Sequence, residues 1–281
     1  MPEPATEARL EAIAERALAQ AGVLGVLPTP LAALHPVAGI RALEPMPALP
    51  ERVRTPGRRL LGALWFEERT MFLDAGQSPA RRRFTEAHEL MHALCPWHEA
   101  VLREDTSAEL FRPAVEALEA EANLGAALLL FQGRSFARRL AAERPSIATP
   151  LALAREYGAS AHAALHHSVL THARALALLV VGRFPRRDGS LPVWRSVESR
   201  RYLRRFDRAA AATPAGLVPG SPLRELVEAA RRMSEPAVAP LAWPDPGGGV
   251  RRVHAHVHDN RHAFLVLLAP AIRARAATAV R

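Results

Sequence analysis

Lysine is missing from this chain of 281 residues, so all 37 basic side chains are arginine. Set against 28 acidic residues they give a formal charge of +9. Surfaces selected to hold phosphate commonly mix lysine with arginine, so an arginine-only, alanine-rich chain points to compositional bias, and the charge is discounted as a sign of nucleic-acid binding. Cysteine is nearly absent too: Cys95 stands alone, which excludes an intrachain disulfide and fits a reducing, cytoplasmic setting. Long apolar runs are lacking. The stretch from Ala21 to Ile40 is broken by Pro28, Pro30 and Pro36, and the run near Phe264 is too short to span a bilayer, so no membrane role is expected. The opening MPEPATEARLEA is acidic without an apolar centre and does not read as a secretory leader.

What is present is sharper. Residues Phe84 to His92 read FTEAHELMH and contain HExxH. On a helix this spacing sets two imidazoles one turn apart with a carboxylate beside them. Ser78-Pro79 supplies an N-cap and a first-turn proline, and Phe84, Ala87, Met91 and Leu94 recur at helical spacing as a core stripe. A metal that activates water needs neutral nitrogen or carboxylate ligands and one open position. His88 and His92 are the candidate ligands, and Glu89 is the candidate general base for a bound water.

Two positions compete to be the third ligand. The longer pattern HExxHxxGxxH places a histidine ten residues after the first, and His98 stands there. That pattern turns on a glycine with positive φ, whereas this chain has Cys95 followed by Pro96, which drives Cys95 toward extended backbone. His98 is then expected to be a solvated residue past a helix end, and Cys95 a small packed one. The other candidate is downstream, where Pro113 opens a helical segment running to Gly133. Glu119 shares a face with Val115, Ala122, Asn123 and Ala126 and should point inward, where an unpaired carboxylate is costly and a cation would offset it. Asn123, one turn on, is placed to hydrogen-bond a ligand. Glu116 and Glu121 are expected to be solvated, with Glu121 the fallback ligand if the helix phase differs.

RRRFTEAHELMHAL followed by EAEANLGAALLLF resembles the ImmA/IrrE family of metallopeptidases, and within it the radiation-response proteases. The resemblance covers residues 59–131 in detail and the whole chain loosely. It implies Glu119, four residues before Asn123, as the third ligand, zinc or manganese as the ion, and a metal-dependent endopeptidase of zincin-like fold. It further implies that the substrate is a helix-turn-helix repressor, cleaved in a DNA-damage response. One departure is LLLF where relatives often carry LLMP, which bears on the turn after the second helix.

The whole reads as a mixed α/β, mainly helical protein in three parts: a metallopeptidase-like domain over 1–144, a helix-turn-helix unit over 145–175 and a small α/β sensor domain over 176–281, the last GAF-like by the same resemblance. The first part is expected to hold a helix from Ala8 to Ala21 capped by Gly22, a proline-rich connector to Arg58, and strands at Leu60–Glu67 and Thr70–Leu73 that could hold an extended substrate. In the second, Ala154, Gly158 and Ser160 fit two crossing helices, but the second offers His162, His166, His167 and Thr171, poor readers of base edges. A structural unit or protein dock is favoured over DNA binding.

In the third part, strands are expected at Leu176–Phe184, Leu191–Val197, Ala237–Trp243, Val250–His258 and His262–Leu268, with a helix in Pro222–Met233. His254, His256 and His258 share one strand face, either solvated with the valines inward or available to a second metal or an anion. Arg200, Arg201, Arg204, Arg205 and Arg208, interleaved with Tyr202, Leu203 and Phe206 near Trp194, read as an amphipathic helix. Tyr157 and Tyr202 are the available tyrosines for oxyanion support. The rival to the protease is a DNA-binding regulator with a structural metal.

Overall fold

The computed structural model describes residues 4–48, 60–103, 108–206, 208–209, 213 and 216–270. The end of the expected connector, 49–59, lies outside them. The chain divides into two compact units, Met1–Phe136 with Leu153–Ser160 and Ala137–Ala152 with Ala161–Arg281. Among the described residues no helix is long and apolar enough to cross a membrane.

In the first unit, α1 (Pro4–Gln20) buries Leu10, Ala14, Ala17 and Leu18 and stops where Gly22 takes a φ of +68°. The connector is not featureless: it holds β1 (Ala42–Pro45), which pairs in parallel with β3 (Thr70–Leu73). Four residues with two prolines nearby carry too little alternation to announce a strand. β2 (Gly62–Trp65) pairs antiparallel with β3 as expected, turning at Arg69 with a φ of +55°, and the strand order β1-β3-β2 leaves β2 at one edge.

The motif helix α2 runs Pro79–Leu94, with Ser78 in extended N-cap geometry but its hydroxyl making no capping bond. Its buried side includes Ala87 and Met91 as expected and Leu90 besides, whereas Phe84 and Leu94 are partly exposed. Cys95 is extended (φ −103°, ψ 98°), as the following proline requires, and fully buried. Pro96 then opens a further helix, α3 (Pro96–Arg103), which folds the chain back. The second motif lies on α4 (Ala108–Phe131), so Pro113 falls inside that helix rather than opening it. α4 ends where Gln132 and Gly133 both take positive φ, and the Gln132 amide binds the carbonyl of Val26 while its oxygen accepts from the Gly25 N–H.

Two short helices follow, α5 (Arg134–Ala141) and α6 (Ala148–Glu156); a turn at Gly158, φ +61°, leads to α7 (Ala161–Thr171). In the second unit, β4 (Ala177–Gly182), β5 (Val193–Glu198), β6 (Ala237–Pro244), β7 (Val250–Asp259) and β8 (Ala263–Pro270) form an antiparallel sheet in the order β5-β4-β8-β7-β6. The expected strands are all present, with ends moved by a few residues. The two faces follow the alternation of strand side chains. Leu179, Val181, Phe264 and Val266 face one core with α9 (Pro222–Arg231), while Leu178, Leu265 and Leu267 face another with Leu165 and Val169 of α7.

In the arginine cluster only Arg200–Leu203 is helical, as α8; Tyr202 and Phe206 are buried, whereas Leu203 and Trp194 are exposed. The amphipathic expectation thus holds for two of its four apolar residues. On β7 the valines 253 and 257 point into the core, His256 is buried, His254 is exposed and His258 half-buried.

Candidate metal centre

Helix α2 presents His88 and His92 on one side, and α4 delivers Glu119 opposite them. The close approach of the two helices has a local cause: Gly125 of α4 lies against Met91, and a Cβ there would run into the Met91 side chain. The His88 and His92 Nε2 atoms are 3.1 Å apart. Glu119 places one carboxylate oxygen 3.4 Å from His88 Nε2 and the other 3.6 Å from His92 Nε2. Among the described residues this is the group of three in which candidate ligand atoms converge, all within 4.8 Å of one another. Tetrahedral ligation at about 2.0–2.1 Å would space ligand atoms by roughly 3.3 Å, and these separations are close enough for the donor set to suit a divalent ion.

The electrostatics fit as well. Burial holds His92 well below the usual imidazole range, with the neighbouring His88 and His98 adding to the effect and Glu119 opposing it. A neutral ring is the form that ligates. Burial also disfavours charge on His88, but its hydrogen bonds with Glu119 and Asn123 and the charges of Glu89 and Glu119 outweigh it, and the pKa lies above the ordinary value. The Asn123 side chain hydrogen-bonds His88. Glu119 is less enclosed than expected, with its side chain 46% exposed toward the cleft.

Glu89 is 7% exposed, and burial lifts its pKa to about 7, with His88 opposing and Glu119 assisting. Nearby cationic charge would pull it down again. It sits under β2: a Cβ on Gly62 would come within 2.7 Å of the Glu89 carboxylate and 2.5 Å of the Thr85 methyl, so only glycine lets the strand pass this close. Gln77 ties strand to helix, its amide donating to the Leu61 carbonyl and its oxygen accepting from the Thr85 hydroxyl at 2.7 Å. The resulting cleft of about 400 Å³ is lined by residues 60–64 of the strand region and by His88, Glu89, His92, Glu119 and Asn123.

Residues 51–168 match the family model of the IrrE N-terminal-like domain, Peptidase_M78. That match supports the ImmA/IrrE family for the segment that carries the cleft. No curated protein sequence matches the chain. Among solved structures, a "Mycobacterium tuberculosis transcriptional regulator" is similar in fold, with a TM-score of 0.54 and 17% identity over 92% of this chain and 74% of that one.

Two expectations fail within this IrrE-like domain. His98 is not solvated: it is fully buried, with Nδ1 2.9 Å from Nδ1 of His92 and Nε2 3.1 Å from Glu121. It therefore stands behind His92 rather than among the ligand atoms, because Pro96 turns the chain into α3 immediately after α2. Burial lowers the His98 pKa, although Glu121 opposes the shift. Glu121 is likewise not free, since it accepts hydrogen bonds from the Trp97 indole at 2.8 Å and from His98, with its side chain 17% exposed. The Arg9 guanidinium stacks 3.6 Å over the Trp97 ring. Neither tyrosine reaches the cleft: Tyr157 is enclosed with Phe131 and Phe136, and Tyr202 lies in the core of the second unit.

Proposed function

We propose that this protein is a metal-dependent endopeptidase, with His88, His92 and Glu119 as the metal ligands and Glu89 as the general base. The observation that carries this reading is the convergence of those three side chains beside an enclosed glutamate, in a cleft walled by an edge strand. A bound zinc or manganese ion would supply Lewis acidity and a water of lowered pKa; the donor set accepts either metal. Glu89, enclosed beside the ion, takes the proton from the attacking water and returns it to the leaving amine. β2, an edge strand of its sheet among the described residues, would pair with an extended substrate segment and hold the scissile bond over α2. Asn123 keeps His88 in place through its side-chain hydrogen bond.

The substrate in this reading is a helix-turn-helix repressor, whose cleavage switches on a DNA-damage response, in keeping with the sequence resemblance to IrrE, the radiation-response protease of Deinococcus. The strands and helix beyond residue 176 would form a GAF-like sensor domain that receives a small-molecule signal, and 145–175 a helix-turn-helix unit. Burial of His167, Ser168 and Val169 on α7 supports a packing role for that helix over base reading. A cytoplasmic location agrees with a repressor target.

Incubating the full chain, loaded with zinc or manganese, with a helix-turn-helix repressor and reading products by mass spectrometry tests this. Discrete cleavage by wild type and none by Glu89→Gln is expected; equal products from both proteins, or none from metal-loaded wild type, would overturn it. The second reading is a transcriptional regulator with a structural metal, and it draws on the structural neighbour, itself a transcriptional regulator. Sequence-specific DNA binding that survives Glu89→Gln, without proteolysis, would favour it.

A further inference from the structure

Three side chains outside the ligand set form a line behind the metal centre: Trp97, Glu121 and His98. Glu121 meets His98 Nε2, and His98 Nδ1 meets His92 Nδ1. Each contact fixes the next. A carboxylate only accepts, so the proton between Glu121 and His98 belongs to His98 Nε2. In a neutral imidazole the other nitrogen is then bare, and His98 Nδ1 must accept. The donor facing it at 2.9 Å is His92 Nδ1–H. That leaves His92 Nε2 without a proton and aimed at His88 and Glu119, which lie 3.1 Å and 3.6 Å away.

We infer that His98 is a positioning residue which, anchored by Glu121, fixes His92 in the tautomer that presents a bare Nε2 to the ion. Left free, a neutral histidine can carry its proton on either nitrogen, and the wrong choice would point an N–H at the metal. Outer hydrogen-bond partners of metal-bound histidines typically contribute about 10- to 100-fold in metal affinity by this means. The line is also held from outside, because Trp97 donates to the same Glu121 oxygen that His98 contacts. With both donors on it, Glu121 has little freedom to swing away from His98. His98 is fully enclosed, so water does not compete for the bond to His92.

The inference rests on the metal-site reading, but its first readout does not. In the metal-free full chain, nitrogen-15 NMR of the histidine rings reports which nitrogen of His92 is protonated; zinc affinity is then measured by competition with a chelator. Wild type is expected to carry the His92 proton on Nδ1. His98→Leu should lose that preference and bind zinc about 10- to 100-fold more weakly. His98→Gln, whose side-chain oxygen still accepts from Nδ1–H, should stay near wild type on both counts, which a purely space-filling role for the ring would not predict.

A His92 proton on Nε2 in wild type, unchanged zinc affinity in His98→Leu, or equal losses in both variants would overturn this role for His98. Wild type that shows the Nδ1 proton yet binds no zinc would sink the metal-site reading instead. Thermal unfolding of each variant identifies any that fails to fold; His98→Gln against wild type then carries the comparison.

Discussion

The two units bury different things. The first encloses polar side chains that face one another: His92, His98 and Glu89 are each under 10% exposed within one helix-strand-helix arrangement. The second fills its interior mainly with apolar layers on both faces of a five-stranded sheet, with β4 buried at every position, and its buried histidines, His167 and His256, stand apart from one another along the chain. Apolar burial is non-directional and stabilises in proportion to area, whereas enclosed polar groups stabilise only when each finds its partner.

The contrast is broken most severely by removing a proposed metal ligand. His92→Ala should abolish stoichiometric zinc binding while leaving the sheet of the second unit folded, as measured by metal content and circular dichroism. The reverse experiment is Phe264→Ala, which empties a fully buried ring from the sheet. It should cost about 3–5 kcal/mol in chemical denaturation, with zinc affinity of the folded protein unchanged. Loss of zinc affinity there would erase the distinction between the units.

A subtler test uses the misfit of Glu89. Its pKa in the folded protein is about 7 against an ordinary 4.5, so the folded state keeps a proton that the unfolded chain releases. Stability of the metal-free protein therefore falls as pH rises from about 4.5 through about 7. Glu89→Gln cannot ionise, so its stability relative to wild type should grow between pH 5 and pH 8 by on the order of 2–3 kcal/mol. A gap that does not widen would mean that Glu89 is not penalised by burial. At the bottom of the scale, Arg201→Ala and Arg205→Ala, on exposed positions of the second unit, should each change its stability by no more than about 0.5 kcal/mol.

What is legible in the sequence follows the same division. The convergence of His88, His92 and Glu119 is readable in two steps, the histidine pair from its local spacing on one helix and Glu119 from its helix face and the family resemblance, and the strands of the second unit are readable because their apolar pattern is continuous. β1 escapes a sequence reading since its four residues carry too little alternation. His98 and Glu121 look solvated in the sequence because their burial depends on α3 folding back under α2. The signal is there in Pro96, which starts a helix as readily as it ends one. Gly62 and Gly125 stand at close approaches that appear only once a strand and a second helix have been brought against α2.

The bridge made by Gln77 has a consequence for how the cleft comes into being. Leu61, Gln77 and Thr85 are separated by 16 and 8 residues along the chain, so the wall and the floor of the cleft are stitched together by near neighbours. Closing so short a loop costs little entropy. Glu119, the proposed third ligand, arrives on another helix, across the stretch from His92 to Glu119. The part of the cleft made by strand and motif helix can thus form from near neighbours, whereas its far wall, Glu119 and Asn123, waits for a helix brought in from farther along the chain.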